Sequence, residues 1–283
     1  MYPRKFDYVA VGSVAEAVEA LRATEGAKVM AGGMSLLPLM KMRLLSPTTV
    51  VDIGRVPGLD SIEDRGDHLA IGALVRHADT AANELVRTHA PALATAASLT
   101  GDVQVRNRGT TCGSLAHADL AADQTAAVLA LGATLVAQGP SGTREIPADE
   151  FFVDTLTSAL EPDEVLVEVR IPKGGTGSAY DKLGRRGGRS DYAVAGAAAW
   201  VERSNGTVTA ARVALTGVGT KPTRARGVEE AIVGTDGSAS AIEAAARRAV
   251  EGVTVLEDLY GSEEYKAHLA EVYVARALAA ALG

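Results

Sequence analysis

Helical and strand-like spacings of apolar residues alternate through the first part of the chain. Ser13-Val14-Ala15-Glu16 has the form of a capping box, a hydroxyl followed three residues later by a carboxylate, and predicts a helix through Leu21 and its neighbours. Lys28-Val29-Met30-Ala31 reads as a short buried strand that runs into Gly32-Gly33. Beyond that turn Leu36, Leu37, Met40 and Leu44 recur at helical spacing, with Ser35 as a candidate cap. Pro47 ends the run, and residues 49–53 form a second strand. Such a βαβ-type unit belongs to the α/β class.

The next stretch changes character. Residues 60–72 read as a hairpin, residues 78–88 and 92–99 as helices, the second with Pro91 at its first position. Val103-Gln104-Val105 and the polar run Arg106-Asn107-Arg108-Gly109 lead to a second loop, Thr110-Thr111-Cys112-Gly113-Ser114. Residues 121–131 carry a helical pattern and 133–137 a strand pattern, while 164–172 alternate as a half-solvated strand does. Lys173-Gly174-Gly175-Thr176-Gly177 punctuates the chain and divides it into expected domains at 1–175, with lobes 1–57 and 58–175, and 178–283. Past that boundary Asn205-Gly206, set between apolar runs at 193–202 and 208–215, predicts a hairpin. Helices are expected over 239–251 and 265–281, the last with Tyr265, Leu269, Val272 and Arg276 along one side and Arg276 at its edge.

Composition narrows the function classes. With 283 residues and 47% hydrophobic positions the chain can bury a full core. A net charge of −7, from 28 Lys+Arg against 35 Asp+Glu, argues against general binding to nucleic acid or anionic membranes. No apolar run reaches the roughly 20 residues of a membrane span, and the N-terminus has no signal-like apolar segment, so a cytoplasmic protein is expected. Cys112 is the only cysteine, which leaves no intrachain disulfide and no four-thiolate iron–sulfur cluster. None of His68, His77, His89, His117 and His268 pairs with another at metal-ligand spacing, so no protein metal site is expected.

The two glycine-containing loops are where chemistry fits. Without Cβ atoms a backbone can approach a phosphate, and successive N–H groups form an anion nest. Ala31-Gly32-Gly33-Met34-Ser35 and Thr110-Thr111-Cys112-Gly113-Ser114 both have this form, and two facing nests suit a pyrophosphate. Each loop taken singly reads more readily as a tight turn than as a ligand site, and neither a G-x-G-x-x-G nor a G-x-x-x-x-G-K-[ST] fingerprint is present.

A resemblance carries the reading further. Ala31-Gly32-Gly33-Met34-Ser35-Leu36-Leu37-Pro38 resembles the first FAD loop in the flavin subunits of molybdenum hydroxylases, the family of the carbon monoxide dehydrogenase medium subunit and the xanthine dehydrogenase FAD domain. The run from Arg106 through Gly113-Ser114-Leu115-Ala116-His117-Ala118-Asp119 resembles the second loop, and Ala121-Ala122-Asp123 follows where the family carries an acidic residue. The likeness continues through Glu164-Val165-Leu166, Ile171-Pro172, Ala179-Tyr180-Asp181-Lys182-Leu183 and Gly261-Ser262-Glu263-Glu264-Tyr265-Lys266, so it covers essentially the whole chain in order. Met34 departs from the polar residue usual at its position, and Cys112 stands where the family has the first glycine of a pair.

The resemblance implies a two-lobed FAD-binding fold of the vanillyl-alcohol oxidase type, α/β plus α+β, followed by a C-terminal sheet-and-helix domain. It implies FAD as cofactor, with Lys28, Val29, Met30, Ala31, Gly32, Gly33, Met34, Ser35, Leu36, Gly101, Thr110, Thr111, Cys112, Gly113, Ser114, His117, Asp123, Leu166, Lys182 and Tyr192 as its binding residues. No residue of this chain is expected to be catalytic. Partners would be an iron–sulfur subunit and a large molybdopterin subunit, in a heterotrimer or its dimer, with NAD, a quinone or oxygen taking the electrons.

Several of these residues have a plainer reading. Cys112 is a redox-active thiol or covalent flavin anchor on one reading, and a small buried hydrophobe on the other. His117 either touches ribityl or phosphate oxygens or satisfies a turn. Asp123 either accepts from a ribityl hydroxyl or sits as a charge at a helix start. Lys182 with Arg185, Arg186 and Arg189 forms a basic loop over the isoalloxazine or a solvated charge run, and Tyr192 shields the ring or packs at a strand edge. A stand-alone flavoprotein acting on its own small molecule, and a scaffold subunit that has lost FAD, are the alternatives to the electron-transfer subunit.

Overall fold

The protein, described by a computed structural model over residues 2–186 and 191–283, opens with a small parallel sheet. Its elements are β1 (Asp7–Ala10), α1 (Val14–Ala23), β2 (Lys28–Met30), α2 (Leu36–Met42) and β3 (Thr49–Asp52), with strand order β1-β3-β2. The capping box forms: Ser13 Oγ accepts from the Glu16 N–H at 3.1 Å, and Glu16 accepts from the Gly12 N–H at 2.7 Å. β3 is the buried centre, whereas β2 lies at the edge and is half-exposed rather than buried as expected. β1 has no counterpart in the sequence reading, because all four of its residues are exposed and no apolar alternation marks it.

The second lobe is a five-stranded antiparallel sheet, order β4-β5-β10-β6-β7, backed by helices. β4 (Ile62–Asp64) and β5 (His68–Gly72) make the expected hairpin. The stretch 78–88 divides into α3 (His77–Ala82) and α4 (Glu84–His89), because the Asn83 side chain turns back to accept the Leu85 and Val86 N–H groups as an N-cap. α5 (Pro91–Leu99) starts on its proline, and the short α6 (Val103–Arg106) follows. The stretch read as a second loop is instead the start of α7 (Thr111–His117), with Thr110 as N-cap. α8 (Asp123–Leu131) is buried along its whole length. β6 (Thr134–Gly139), β7 (Gly142–Pro147), a flap of α9 (Ala148–Phe151), β8 (Phe152–Asp154) and β9 (Thr157–Ser158), and the central strand β10 (Val165–Pro172) complete the lobe.

The C-terminal part is a meander, β11 (Gly177–Gly184), β12 (Ala193–Ser204), β13 (Thr207–Thr216) and β14 (Thr223–Arg224), with α10 (Arg226–Ile232), α11 (Ala239–Ala246) and α12 (Glu263–Leu282). Asn205 and Gly206, at φ 50° and 80°, close the β12–β13 hairpin with the left-handed pair that an Asn-Gly turn requires. Both faces of β12 are covered. Ala198 joins the core shared with the second lobe, while Ala195, Ala197, Ala199 and Val201 join the core that includes α10, α11 and α12. Alanines let helices approach both sides closely. Arg212 donates from Nε to the Ala130 carbonyl at 2.8 Å, tying β13 to the C-terminal end of α8.

The α/β-then-α+β architecture is as expected, with two corrections. The helix expected over 239–251 ends at Ala246. On α12 the buried face runs through Lys266, Leu269, Ala270, Tyr273, Ala277 and Ala281, whereas Tyr265 and Arg276 are exposed. Val274 and Leu278 are buried on this side too, so the packed face is rotated from the expected stripe. Among the described residues no helix is long and apolar enough to cross a membrane.

Candidate cofactor site

The segment after β2 turns sharply. Gly33 takes φ +72°, a conformation that costs a side chain strain, and its N–H and those of Gly32, Met34 and Ser35 donate to no acceptor among the described residues. Ser35 occupies the N-cap position of α2, yet its hydroxyl makes no cap hydrogen bond. Lys28 is exposed, while Val29, Met30, Ala31, Met34 and Leu36 are half-buried along the same edge. A row of unpaired donors beside an uncommitted hydroxyl is what an anion needs.

The second segment is arranged differently. Thr110 Oγ1 accepts the Gly113 N–H at 3.1 Å, the Thr110 carbonyl takes the Ser114 N–H at 3.0 Å, and the Thr111 N–H goes to the Val75 carbonyl at 3.0 Å. Of these positions, Thr110 and Cys112 keep an N–H with no protein acceptor among the described residues. Thr111 is buried, its hydroxyl bonded to that of Thr80 at 2.7 Å. Gly113 and Ser114 are half-buried.

The two segments meet at a glycine. A Cβ on Gly32 would lie 2.0 Å from the Arg108 carbonyl oxygen and 2.7 Å from Gly109 Cα, so only glycine permits this approach. Gly109 is held from behind by His77: the His77 N–H donates to its carbonyl at 3.0 Å, and a Cβ on Gly109 would lie 2.7 Å from His77 Nε2. Nothing around His77 in the sequence marks it, since its neighbours in space come from residues far along the chain.

Below this junction lies a buried polar cluster. Asp123, 3% exposed, is bonded by Lys182 Nζ at 2.6 Å and by the Tyr180 hydroxyl at 2.6 Å. Lys182 Nζ also donates to the Leu99 carbonyl at 3.1 Å and to that of Asp191. Burial pushes the Asp123 carboxyl up, to about 6, against the pull of Lys182 and Tyr180. Lys182 therefore belongs to β11 and to this cluster, not to the basic loop in which the sequence placed it; Gly187, Gly188 and Arg189 of that loop lie outside the described residues. Gly101, at φ +52°, adjoins the cluster, its carbonyl accepting from Arg106 Nη1 at 2.7 Å.

The remaining candidates are less central. Cys112 points into the core, its Sγ 3.6 Å from the Ile71 carbonyl, and burial pushes its thiol pKa far up, so its side chain neither narrows the cradle nor offers a thiolate. His117 lies in the last turn of α7, half-buried, with burial lowering its pKa. Leu166 is buried in the β10 core, paired with Ala137 of β6. Tyr192 is 41% exposed, and the Arg185 guanidinium stands 5.0 Å over its ring and 4.5 Å over that of Tyr260, an aromatic partner the sequence reading missed.

Comparison with known proteins bears on the same geometry. Residues 4–174 match the family described as FAD binding domain in molybdopterin dehydrogenase, and residues 178–281 match the CO dehydrogenase flavoprotein C-terminal domain. The chain is 42% identical to the carbon monoxide dehydrogenase medium chain of Hydrogenophaga pseudoflava, over 99% of this chain and 98% of that one. It is 40% identical to the 6-hydroxypseudooxynicotine dehydrogenase complex subunit alpha of Paenarthrobacter nicotinovorans, over 100% of this chain and 96% of the relative. Among solved structures it is similar to carbon monoxide dehydrogenase from Hydrogenophaga pseudoflava, with a TM-score of 0.95 at 42% identity, over 99% of this chain and 98% of that one.

Proposed function

The chain belongs to the FAD-binding family of molybdopterin dehydrogenases, as a medium subunit of the molybdenum hydroxylase type, and on that premise we propose how it holds and serves its flavin. The FAD pyrophosphate lies against the N–H groups of Gly32, Gly33, Met34 and Ser35, with the Ser35 hydroxyl and the Cys112 N–H as further donors. The observation carrying this is the row of unpaired donors pinned beside Arg108 and Gly109 by the glycine contact at Gly32. The first segment supplies most of the hydrogen bonding, and the second supplies shape. Val29, Met30, Ala31 and Leu36 line the approach; Gly101, Asp123, Lys182 and Leu166 take the remainder of the cofactor, with His117 and Tyr192 at its margins.

Bound FAD supplies the electron chemistry, accepting from one centre and delivering to another. What this chain contributes is binding, orientation and exclusion of water. Its partners are an iron–sulfur subunit and a large molybdopterin subunit, and NAD, a quinone or oxygen is the terminal acceptor. A single cysteine supports the division, because four-thiolate clusters must then lie on another chain. The relatives' names specify different compounds, carbon monoxide and 6-hydroxypseudooxynicotine, at similar identity to this chain; substrate choice therefore resides elsewhere in the complex. Residues 1–175 and 178–283 act as the FAD-binding and covering domains. The unpaired Cys112 suits a reducing, cytoplasmic setting.

Titrating the purified chain with FAD, followed by flavin absorbance and by competition with ADP, tests the site. Saturable binding that ADP displaces supports it; binding indifferent to ADP removes the pyrophosphate cradle from the reading. Identifying the two companion chains after native purification tests the assembly.

A further inference from the structure

We propose that His77, seated by Gln124, is the positioning residue that sets the spacing of the two segments forming the pyrophosphate cradle. The inference rests on the FAD reading given above and concerns residues which that reading leaves without a role.

The geometry begins with backbone. Residues 75–77 run antiparallel to 109–111: the Thr111 N–H donates to Val75, Arg76 bridges Thr110, and the His77 N–H donates to Gly109. The imidazole then folds over the face of Gly109 that has no side chain. With its own N–H committed to the Val105 carbonyl at 2.7 Å, Gly109 has both backbone groups and one face occupied, and it is against this residue and Arg108 that Gly32 is pressed. Moving His77 moves Gly109, and moving Gly109 opens the contact with Gly32.

Gln124 fixes the ring. Its Nε2 lies 2.6 Å from His77 Nδ1 and 3.4 Å from Thr100 Oγ1, and the residue is fully buried on the first turn of α8, next to Asp123. The bond holds the ring in either tautomer, with the amide nitrogen donating to a bare Nδ1 or the amide oxygen accepting from a protonated one. Burial, with the Arg106 charge nearby, holds the imidazole neutral with a pKa near 4. Gln124 Oε1 has no partner among the described residues although it is enclosed. The chain of contacts runs from the Asp123 helix to Gln124, His77, Gly109 and Gly32, linking the buried cluster to the donors that face the phosphates.

The test uses the full-length chain with FAD and ADP as probes, and the thermal midpoint of the flavin-free protein measured alongside. His77→Ala and Gln124→Met are each expected to weaken FAD and ADP binding by the same factor, about tenfold. The double variant should lose little more than either single one, because the two residues act as a unit. His77→Asn, whose side-chain amide can pair with that of Gln124, should recover most of the affinity. Unchanged FAD and ADP affinity in both single variants overturns the proposal, as does a loss confined to FAD, which would place the effect at the flavin end. A lowered thermal midpoint with intact affinity assigns His77 to stability alone and overturns it too. If the unmodified chain binds neither probe, the FAD reading itself fails, an outcome distinct from all the others.

Discussion

The two glycine segments look alike in sequence and differ in what their backbones are free to do. At residues 32–35 the N–H groups have no protein acceptor among the described residues, and Ser35 does not cap its helix. At residues 110–114 a threonine hydroxyl, a carbonyl and a neighbouring strand end take most of the donors, so the second segment is a well-formed helix start. The sequence makes the second segment the richer in hydroxyls, and those hydroxyls are what satisfy it internally. Glycine and serine content shows that a backbone can approach a phosphate; whether its donors are available depends on who else has claimed them.

The largest contrast lies beneath the segments. Lys182→Met leaves Asp123 buried without its cation and is expected to cost about 3–5 kcal/mol of stability, read by chemical denaturation. Lys28→Met, on the exposed edge of the first segment, should stay within about 0.5 kcal/mol. Equal effects would erase the difference between a segment standing on a buried ion pair and one that does not.

Next comes the junction. Gly32→Ala forces a Cβ to within 2.0 Å of the Arg108 carbonyl, so the segments must part, and FAD affinity should fall on the order of a hundredfold. Gly113→Ala meets only the Thr110 hydroxyl, at 2.6 Å, and should cost about tenfold in the same titration. A greater loss from Gly113→Ala would reverse the assignment of the main donors.

A pH dependence follows from His77. Its imidazole titrates near 4 in the folded chain against an ordinary 6.5, so the unfolded chain takes up the proton first. Its contribution to stability is therefore complete above about 6.5, declines as pH falls from 6.5 to 4, and changes no further below 4. Asp123, raised to about 6, works in the opposite direction: its contribution is complete below 3.8 and declines as pH rises through 6. The difference in unfolding free energy between the unmodified chain and His77→Asn isolates the first term, and it should grow with pH between 4 and 6.5. A flat difference would remove His77 as the neutral strut behind the second segment.

The smallest effects separate the hydroxyls. Thr110→Val removes an N-cap and should lower stability by about 1 kcal/mol, whereas Ser35→Ala removes none and should leave the thermal midpoint in place while weakening FAD. Matching losses of stability in the two variants would show that Ser35 caps after all.

Much of the fold was legible because it rests on local rules. The Ser13–Glu16 cap, Pro91 at a helix start and the Asn205-Gly206 turn each act within a few residues, and all three formed. β1 was invisible because an exposed edge strand needs no apolar pattern. The buried side of α12 was misread because Val272, Tyr273 and Val274 follow one another, and spacing alone does not say which of them face the core. At the site, Asp123 and Lys182 were named separately, but nothing in either stretch shows that they neutralise one another across 59 positions.

Local order thus determined the elements, the place of the two glycine segments and the family to which they belong, since capping, turns and close backbone approach are properties of short runs of residues. Only the tertiary structure decided which donors remain open, that Cys112 faces the core, and that His77 and Gln124 stand behind Gly109. A hydrogen bond has room for few partners, and the competitors for each donor come from segments far apart in the chain.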